Sequence, residues 1–345
     1  MIFQRIKYCC IFVVAGFILQ SCQPAESQPI SASLKHKGVC WVGGREVVTE
    51  KEIDALVNNH VNWISQTPFG WQRDATTSTI NTNFTSDRIW WGESDDGISK
   101  TTQLALKAGI KTLLKPHLWV RNGWPGDIVM KSDTAWQHWF DNYEKFIIHY
   151  AELAEKNKIE IFCIGTELQK TTTREKEWRS LISKIRSVYS GQLIYAANFH
   201  DEYEHIKFWD ALDYIGVQAY FSLANKKDAT LKELIQNWKA PMAAIERVHK
   251  KYNKPVMFTE IGYRNDAHAA IEPWSWPRNM KDVTVSEEAQ ALCYQAFFQS
   301  VWNENWLTGV YFWKWYPHGP RRAGETDFTP QGKPAEKVMR ENFAK

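Results

Sequence analysis

The sequence of 345 residues has little excess charge of either sign, since 42 basic and 39 acidic residues give a formal net charge of +3. Proteins that bind nucleic acids usually carry clustered lysine and arginine, so no nucleic-acid partner is indicated. Long apolar runs are also missing. The run at residues 9–19 is too short to cross a bilayer, and no other run is long enough. With 44% hydrophobic and 23% charged residues, the composition is typical of a globular protein.

Cysteine is scarce, and its spacing gives no zinc site. Three of the six cysteines lie within the first 22 residues. The other three, Cys40, Cys163 and Cys293, lie in apolar runs at spacings that do not match structural zinc sites. We expect buried free thiols at these positions. One disulfide among the three is an alternative that the sequence leaves open.

The N-terminus has the pattern of an export signal. Arg5 and Lys7 precede the apolar run 9–19, which fits the hydrophobic region of a secretory signal. Residues 19–22 read Leu-Gln-Ser-Cys, which resembles the lipobox of bacterial lipoproteins. Cys22 is therefore predicted to carry lipid. An ordinary signal peptide that is cleaved nearby is the alternative.

This pattern divides the chain into three parts. They are a signal peptide at 1–21, a flexible tether at 22–35 that begins at the lipidated cysteine, and one folded domain at 36–345. We expect an exported monomer in the bacterial cell envelope, at the outer membrane or the cell surface. Its only contact with the membrane would be the lipid anchor.

Short strand-like runs alternate with helix-like segments from residue 38 onward. The longest helical stripe has apolar residues at the spacing i, i+3, i+4 between Trp136 and Ala154. Eight such units in about 300 residues predict a single (β/α)8 TIM barrel. A doubly wound open sheet is less consistent, because a glycine-rich phosphate loop is missing after the first strand. The predicted strands are 39–42, 61–65, 112–118, 159–165, 192–197, 214–219, 255–259 and 309–313.

Two glutamates end predicted strands and are the candidate catalytic residues. Glu167 ends the fourth strand and Glu260 ends the seventh. In this fold the catalytic residues lie at the C-terminal ends of the strands, and the fourth and seventh are nearly opposite. Two carboxyl groups that face each other across a pocket suit glycoside hydrolysis, with one as acid and the other as nucleophile or base. The alternative is that each glutamate only favours the N-terminus of a following helix.

The aromatic content fits a sugar-binding site. The chain has 18 tryptophans, and a flat indole face can stack on a pyranose ring, although core packing is the alternative for any single tryptophan. Trp90 and Trp91, with Glu93, are a weaker candidate platform after the second strand. The predicted substrate-binding residues are His117, Trp119, Asn198, His200, Tyr220, Trp274, Trp276, Trp313 and Trp315.

A cluster of acidic residues and histidines follows the fifth strand. It comprises His200, Asp201, Glu202, Glu204 and His205, and it matches no metal-ligand spacing. We interpret it as a solvated loop and predict neither a metal site nor a cofactor, because two carboxyl groups suffice for the expected chemistry.

Five motifs together resemble glycoside hydrolase family 113. They are Lys-Pro-His at 115–117, Ile-Gly-Thr-Glu-Leu at 164–168, Phe-Thr-Glu-Ile-Gly-Tyr at 258–263, Phe-Trp-Lys-Trp at 312–315 and Phe-Thr-Pro-Gln-Gly-Lys-Pro-Ala at 328–335. The resemblance covers nearly the whole chain from residue 36 to residue 344. It implies a glycoside hydrolase domain of the retaining (β/α)8 clan, with activity mainly as an endo-β-1,4-mannanase.

The resemblance also implies roles for single residues. Glu167 would be the acid/base and Glu260 the nucleophile of a double displacement with a bell-shaped pH profile. Tyr220 would lie near the nucleophile, and Trp313 would be the platform under the reacting sugar. Thr166 departs from the wider clan, which has asparagine before the acid/base, so the contact to the sugar 2-hydroxyl must differ.

The expected substrate is mannan, glucomannan or their oligosaccharides. Two alternatives remain open from the sequence. The same chemistry could act on another β-glycan, such as a glucan or galactan, or the chain could be a non-catalytic lipoprotein that binds surface glycans.

Overall fold

The computed structural model of the protein describes residues 35–85, 87–276, 283–320 and 325–345. The predicted signal peptide, Cys22 and all of the predicted tether except Lys35 lie outside these residues. Within the described ranges the chain forms ten strands and nine α-helices. The strands are β1 (His36–Trp41), β2 (Trp63–Gln66), β3 (Phe69–Gln72), β4 (Lys111–Leu114), β5 (His117–Val120), β6 (Ile161–Thr166), β7 (Gln192–Asn198), β8 (Tyr214–Gln218), β9 (Val256–Ile261) and β10 (Leu307–Trp315).

Helices follow most of the strands and surround them. The helices are α1 (Glu50–Val57), α2 (Asp95–Lys107), α3 (Asp133–Lys156), α4 (Glu175–Val188), α5 (Glu202–His205), α6 (Leu231–Asn237), α7 (Lys239–Tyr252), α8 (Glu287–Ser300) and α9 (Pro334–Phe343). The longest, α3, begins after Ser132, whose side chain accepts a hydrogen bond from the Ala135 N–H and so caps the helix. None of the helices within the described ranges is long and apolar enough to cross a membrane.

Eight of the strands close into a barrel in the order β1, β2, β4, β6, β7, β8, β9 and β10, with β10 pairing back to β1. Every pair is parallel, which confirms the predicted (β/α)8 barrel. The strands are buried on both faces, as parallel strands between helices and a filled interior must be. This explains why their sequences show little polar alternation.

The core has two parts, one on each side of the strands. The larger part fills the space between the barrel and its helices, where the apolar stripe of α3 packs. The smaller part fills the barrel interior and includes Cys40, Trp63, Leu113, Cys163 and Met257. In the described structure, Cys40, Cys163 and Cys293 are free and buried. Burial raises the pKa of each thiol, so all three remain protonated at neutral pH.

The third predicted strand, 112–118, is wrong as a single element. It divides into β4, which belongs to the barrel, and β5, which pairs in parallel with β3 in a separate two-stranded sheet. The break falls at Pro116, which has no N–H to donate to a continuing ladder. The small sheet extends outward from the C-terminal end of the barrel and adds a wall there.

Candidate active site

A cleft of about 600 Å³ opens at the C-terminal ends of the barrel strands. Because parallel strands all end at the same rim, the residues at their C-terminal ends lie side by side along the floor of the cleft. Glu167 directly follows β6, and Glu260 lies near the end of β9. The predicted site residues in the cleft lining are His117, Trp119, Glu167, Asn198, His200, Tyr220, Glu260, Trp274, Trp276 and Trp313.

Glu260 is the deeper of the two acids, with 4% of its surface exposed. Its Oε1 atom forms an ion pair with the Nζ of Lys115. Its Oε2 atom accepts a hydrogen bond of 2.6 Å from the Tyr220 hydroxyl. The two contacts engage both carboxyl oxygens and restrict the rotation of the group. Glu260 is thus held in one orientation at the floor of the cleft.

Lys115 provides the positive charge beneath this anion. Its side chain is fully buried, between β4 and the cleft floor. Burial is the largest single effect and would lower the pKa of the amine, but the charge of Glu260, the hydrogen bond to its carboxylate and the nearby Cys40 and Cys163 together hold the pKa above its usual value. Lys115 therefore stays charged, and the two buried ions depend on each other.

His117 lies beside the same pair without adding charge to it. Its Nε2 atom is 3.5 Å from Glu260 Oε1. Burial and the neighbouring Lys115 hold the pKa of His117 well below its usual value, so the imidazole is neutral. The ring of His117 also lies nearly parallel to that of Trp313, with 6.3 Å between the ring centroids. A neutral imidazole here can accept or donate a hydrogen bond to a sugar hydroxyl.

Glu167 has the opposite electrostatic environment. Asn198 Nδ2 donates to its Oε1 atom at 2.8 Å, and Trp124 Nε1 donates to its Oε2 atom at 3.2 Å. Burial and the charge of Glu260 together raise its pKa, and these two hydrogen bonds only partly oppose that effect. The protonated form of Glu167 therefore persists to higher pH than in an ordinary glutamate.

The backbone at Glu167 is also unusual. Its φ angle is +50°, in the left-handed region that residues other than glycine rarely adopt. The Glu167 N–H still bonds to the Ala196 carbonyl of β7 at 2.9 Å, so the chain turns out of the strand without losing that contact. Such conformations cluster at functional sites, where the surrounding structure must enforce them.

Part of that enforcement comes from Glu202, which was predicted to lie in a solvated loop. That prediction is wrong, because Glu202 is 1% exposed. It accepts hydrogen bonds from the Asn198 N–H and the Tyr195 hydroxyl, and Tyr195 in turn accepts from the Leu168 N–H at 2.8 Å. Burial raises the pKa of Glu202 to about 8. These contacts fix Asn198, which binds the Glu167 carboxyl group, and Leu168, which follows Glu167 in the chain.

Three residues of this site were missed as functional candidates from the sequence. Lys115 was noted only as part of a motif, although a lysine inside a strand pattern is itself a signal of a buried partner. Trp124 follows β5 in a loop, and no pattern distinguishes it from a packing tryptophan. Glu202 was concealed in its acidic cluster. The described residues contain no cluster of potential ligands that could hold a metal ion.

Aromatic side chains form much of the cleft wall. Trp274 and Trp276, in the loop after β9, are 39% and 51% exposed. Trp274 packs on Phe199 with 4.9 Å between ring centroids, and His200 also stacks on Phe199 at 4.7 Å. These rings leave apolar faces open to the cleft, as a surface that stacks on sugars requires.

Two sets of predicted binding residues lie elsewhere. Trp315 is 1% exposed and belongs to the larger core between the barrel and its helices. Its backbone lies opposite Trp41 of β1 in the sheet. Trp90 and Trp91 also lie outside the cleft lining, and Arg45 covers the Trp90 ring at 5.8 Å. The next residue, Gly92, donates its N–H to the Gly44 carbonyl in the loop after β1 at 2.9 Å, so this segment packs on that loop and contributes no ring to the described cleft.

A (β/α)8 barrel that brings two carboxyl groups, one paired with a lysine and the other with a raised pKa, into one aromatic cleft has the architecture of a glycoside hydrolase. The model of Glycoside Hydrolase Family 113 matches residues 44–333. The chain belongs to this family and is a glycoside hydrolase.

Solved structures of the same family are similar to this chain over most of its length. The GH113 β-mannanase AaManA from Alicyclobacillus acidocaldarius, in complex with ManMIm, is 27% identical, with a TM-score of 0.78 over 90% of this chain and 97% of that one. A second GH113 β-1,4-mannanase is 25% identical, with a TM-score of 0.77 over 90% and 99% of the two chains. A β-glucuronidase from Ruminococcus gnavus, 13% identical with a TM-score of 0.58, shares the fold over 90% of this chain and 50% of its own. No curated protein sequence matches the chain.

The buried ion pair gives a testable consequence for stability. Replacing Lys115 with Met leaves Glu260 as an unpaired buried carboxylate, which we expect to lower the free energy of unfolding by about 3–5 kcal/mol at pH 7. At pH 4 the loss should be smaller, because the unpaired carboxyl group can bind a proton. Urea unfolding at both pH values measures this difference.

Lys107→Met is the matched control for this variant. Lys107 forms a 2.6 Å ion pair with Glu50, and both side chains are largely exposed. Breaking an exposed pair should cost less than about 1 kcal/mol at either pH. If Lys115→Met were no more destabilising than the control, or equally so at both pH values, Lys115 would not be the partner on which the Glu260 charge depends.

Proposed function

We propose that the protein is a retaining glycoside hydrolase that cleaves β-1,4-mannosidic linkages in mannan, glucomannan or their oligosaccharides. One observation carries the mechanism. Two carboxyl groups line one cleft in different electrostatic environments, because Glu260 forms an ion pair with Lys115 while desolvation and the charge of Glu260 raise the pKa of Glu167. A nucleophile must be ionised and a general acid protonated at the same pH.

The first step forms a glycosyl–enzyme intermediate. A Glu260 carboxylate oxygen attacks the anomeric carbon, and the bond from that carbon to the glycosidic oxygen breaks. The leaving oxygen keeps the electron pair and takes the proton of Glu167. Tyr220 and Lys115 hold the carboxylate in position during the attack, and Trp313 lies under the sugar.

The second step releases the sugar with its original configuration. Glu167, now ionised, removes a proton from a water molecule, whose oxygen attacks the anomeric carbon. The bond to Glu260 breaks, and its carboxylate is regenerated. Asn198 and Trp124 donate hydrogen bonds to Glu167, which stabilise the ionised form that this step needs.

The choice of mannosides rests on the family relatives at 27% and 25% identity, which are β-mannanases. The environment of residue 166 is compatible with this choice. Thr166 is buried and its hydroxyl points toward the Pro116 carbonyl at 3.5 Å, so it offers the substrate nothing. The sugar 2-hydroxyl must therefore find another partner, and in mannose this hydroxyl is axial.

We also propose that the enzyme is exported and anchored by lipid on Cys22 in the bacterial cell envelope. The support is the basic start, the short apolar run and the Leu-Gln-Ser-Cys motif at residues 19–22. An anchored hydrolase of this kind would act on polysaccharide at the envelope. A mass measurement of the N-terminal peptide from the native host would detect the lipid or an unmodified cleavage site.

Replacing Glu260 with Ala should abolish turnover, because it removes the carboxylate that forms the covalent bond to the sugar in the proposed mechanism. Release of reducing sugar from mannan, glucomannan, β-glucan and galactan measures this and also identifies the substrate. Glu246→Ala, which alters an exposed ion pair on α7, is the control and should keep full activity. Proton NMR of the first product should show the β-anomer. An initial α-anomer would contradict retention, and binding without release by the wild type would favour a glycan-binding protein.

Replacing Glu167 with Ala should affect substrates according to their leaving groups. A poor leaving group needs the proton of Glu167, so its cleavage should slow by about 10²–10⁴-fold. An activated aryl mannoside leaves without protonation, so formation of the intermediate should change little. Comparing kcat/KM across a series of aryl leaving groups measures this dependence, and equal losses for all of them would reject the acid role.

The pH profile should be bell-shaped, and its alkaline limb should belong to Glu167. Activity requires protonated Glu167, so it should persist above the usual range of a glutamate and fall as pH rises through the raised pKa. Glu167→Ala should lose this limb on an activated aryl mannoside. Glu202, with a pKa of about 8 and contacts to Asn198, is another group that could produce such a limb. If Glu202→Gln removed the limb and Glu167→Ala kept it, the assignment would be wrong.

A further inference from the structure

The small sheet of β3 and β5 displays aromatic rings on one face. Its register pairs Phe69 with His117 and Trp71 with Trp119. Since side chains alternate along a strand, these four lie on the same face. Ring centroids are 6.3 Å apart for Phe69 and Trp71 and 6.1 Å apart for Trp71 and Trp119. This aromatic face begins at His117, beside Glu260, and leads outward.

The other face of the sheet is fixed to α3. Gly70 packs so closely against Phe146 that a Cβ atom there would lie 2.8 Å from the ring. Gln72 accepts a hydrogen bond of 3.1 Å from Trp139. Leu118 is also buried, with 5% of its surface exposed. The sheet is therefore a rigid support whose aromatic face does not contribute to the anchoring core.

The exposure of the aromatic face increases with distance from the acids. Phe69 and His117 are half-buried, while Trp71 and Trp119 are 42% and 52% exposed. Trp71 is held by its backbone, whose N–H and C=O bond to Asn81 at 2.9 and 2.8 Å. Its indole is thus not required to keep the strand in place, and an apolar ring left in water at the edge of a cleft indicates a ligand.

The aromatic face is continuous with the catalytic cleft. Phe69, His117 and Trp119 line that cleft, and Trp71 is the next ring beyond its lining. Residues two apart on a strand are separated by about 6.6 Å, a distance comparable to one pyranose unit. A sugar chain leaving the acids along this side would thus meet a new ring with each successive unit.

We propose that Trp71, together with Trp119, forms an outer binding site for a pyranose ring of the substrate chain, beyond the sugar at Glu167 and Glu260. The proposal rests on the function proposed above, because it takes the occupant to be the continuation of the chain that the acids cleave. The site raises kcat/KM for β-linked oligosaccharides that are long enough to reach it, and it does not affect shorter ones.

The test is the dependence of kcat/KM on substrate length. Trp71→Ala should lower kcat/KM for mannohexaose by roughly 2- to 10-fold, the value of one aromatic contact. An activated aryl mannoside, which ends before this site, should be cleaved as by the wild type. Trp71→Tyr should recover most of the loss, because a flat ring is restored. Trp90→Ala is the matched control, since Trp90 is 36% exposed and outside the cleft lining.

Two further measurements separate this proposal from the function on which it depends. If the wild type cleaves a different β-glycan, the same length series with that glycan tests the site. If it cleaves none, calorimetric binding of mannohexaose to Glu260→Ala, with and without Trp71→Ala, replaces kinetics, and equal affinities overturn the proposal.

An equal loss on short and long substrates would also overturn it, because the effect would then lie at the acids. The proposal would also be overturned if the wild type were a dimer in solution and Trp71→Ala dissociated it. The aromatic face would then bind a second copy of the chain.

Discussion

The pairing of Lys115 with Glu260 is the interaction on which the site depends. A carboxylate with 4% of its surface exposed cannot remain ionised without a compensating charge, and the ammonium group beneath it provides that charge. The same negative charge then acts across the cleft and helps to keep the proton on Glu167. The buried cation beside Glu260 and the desolvation of Glu167 together give two side chains of identical chemistry different environments.

The position of Glu167 depends on contacts that extend away from the cleft. The residue leaves β6 in a left-handed conformation, and its carboxyl group is fixed by Asn198 and Trp124. Glu202 in turn accepts a hydrogen bond directly from the Asn198 N–H. It also accepts one from the Tyr195 hydroxyl, which binds the N–H of Leu168, the residue after Glu167. The Glu167 carboxyl group is therefore positioned by three parts of the chain, namely the loop after β5, the strand β7 and the start of α5.

The sequence was sufficient to predict the barrel and the location of Glu167 and Glu260 in one cleft, because both follow from patterns that repeat along the chain. Alternating strands and helices predict closure, and closure predicts that Glu167 and Glu260 line one cleft. The division of the predicted strand 112–118 into β4 and β5 at Pro116 was not predicted. The run reads as one strand throughout, so it does not reveal that the chain passes from the barrel to the small sheet. Trp315 was misplaced because residue type alone does not reveal whether a ring faces the cleft or the core. The roles of Lys115 and Glu202 depend on partners distant in the chain, which a single sequence does not pair.

The cysteines of the barrel interior have a practical consequence. Cys40 and Cys163 lie under the floor of the cleft with no exposed surface, and burial keeps their thiols protonated. A thiol reagent can modify them only after the strands have separated, so the rate of labelling would follow the opening of the barrel itself. Labelling of these two thiols would therefore report on the unfolding of the barrel beneath Glu167 and Glu260.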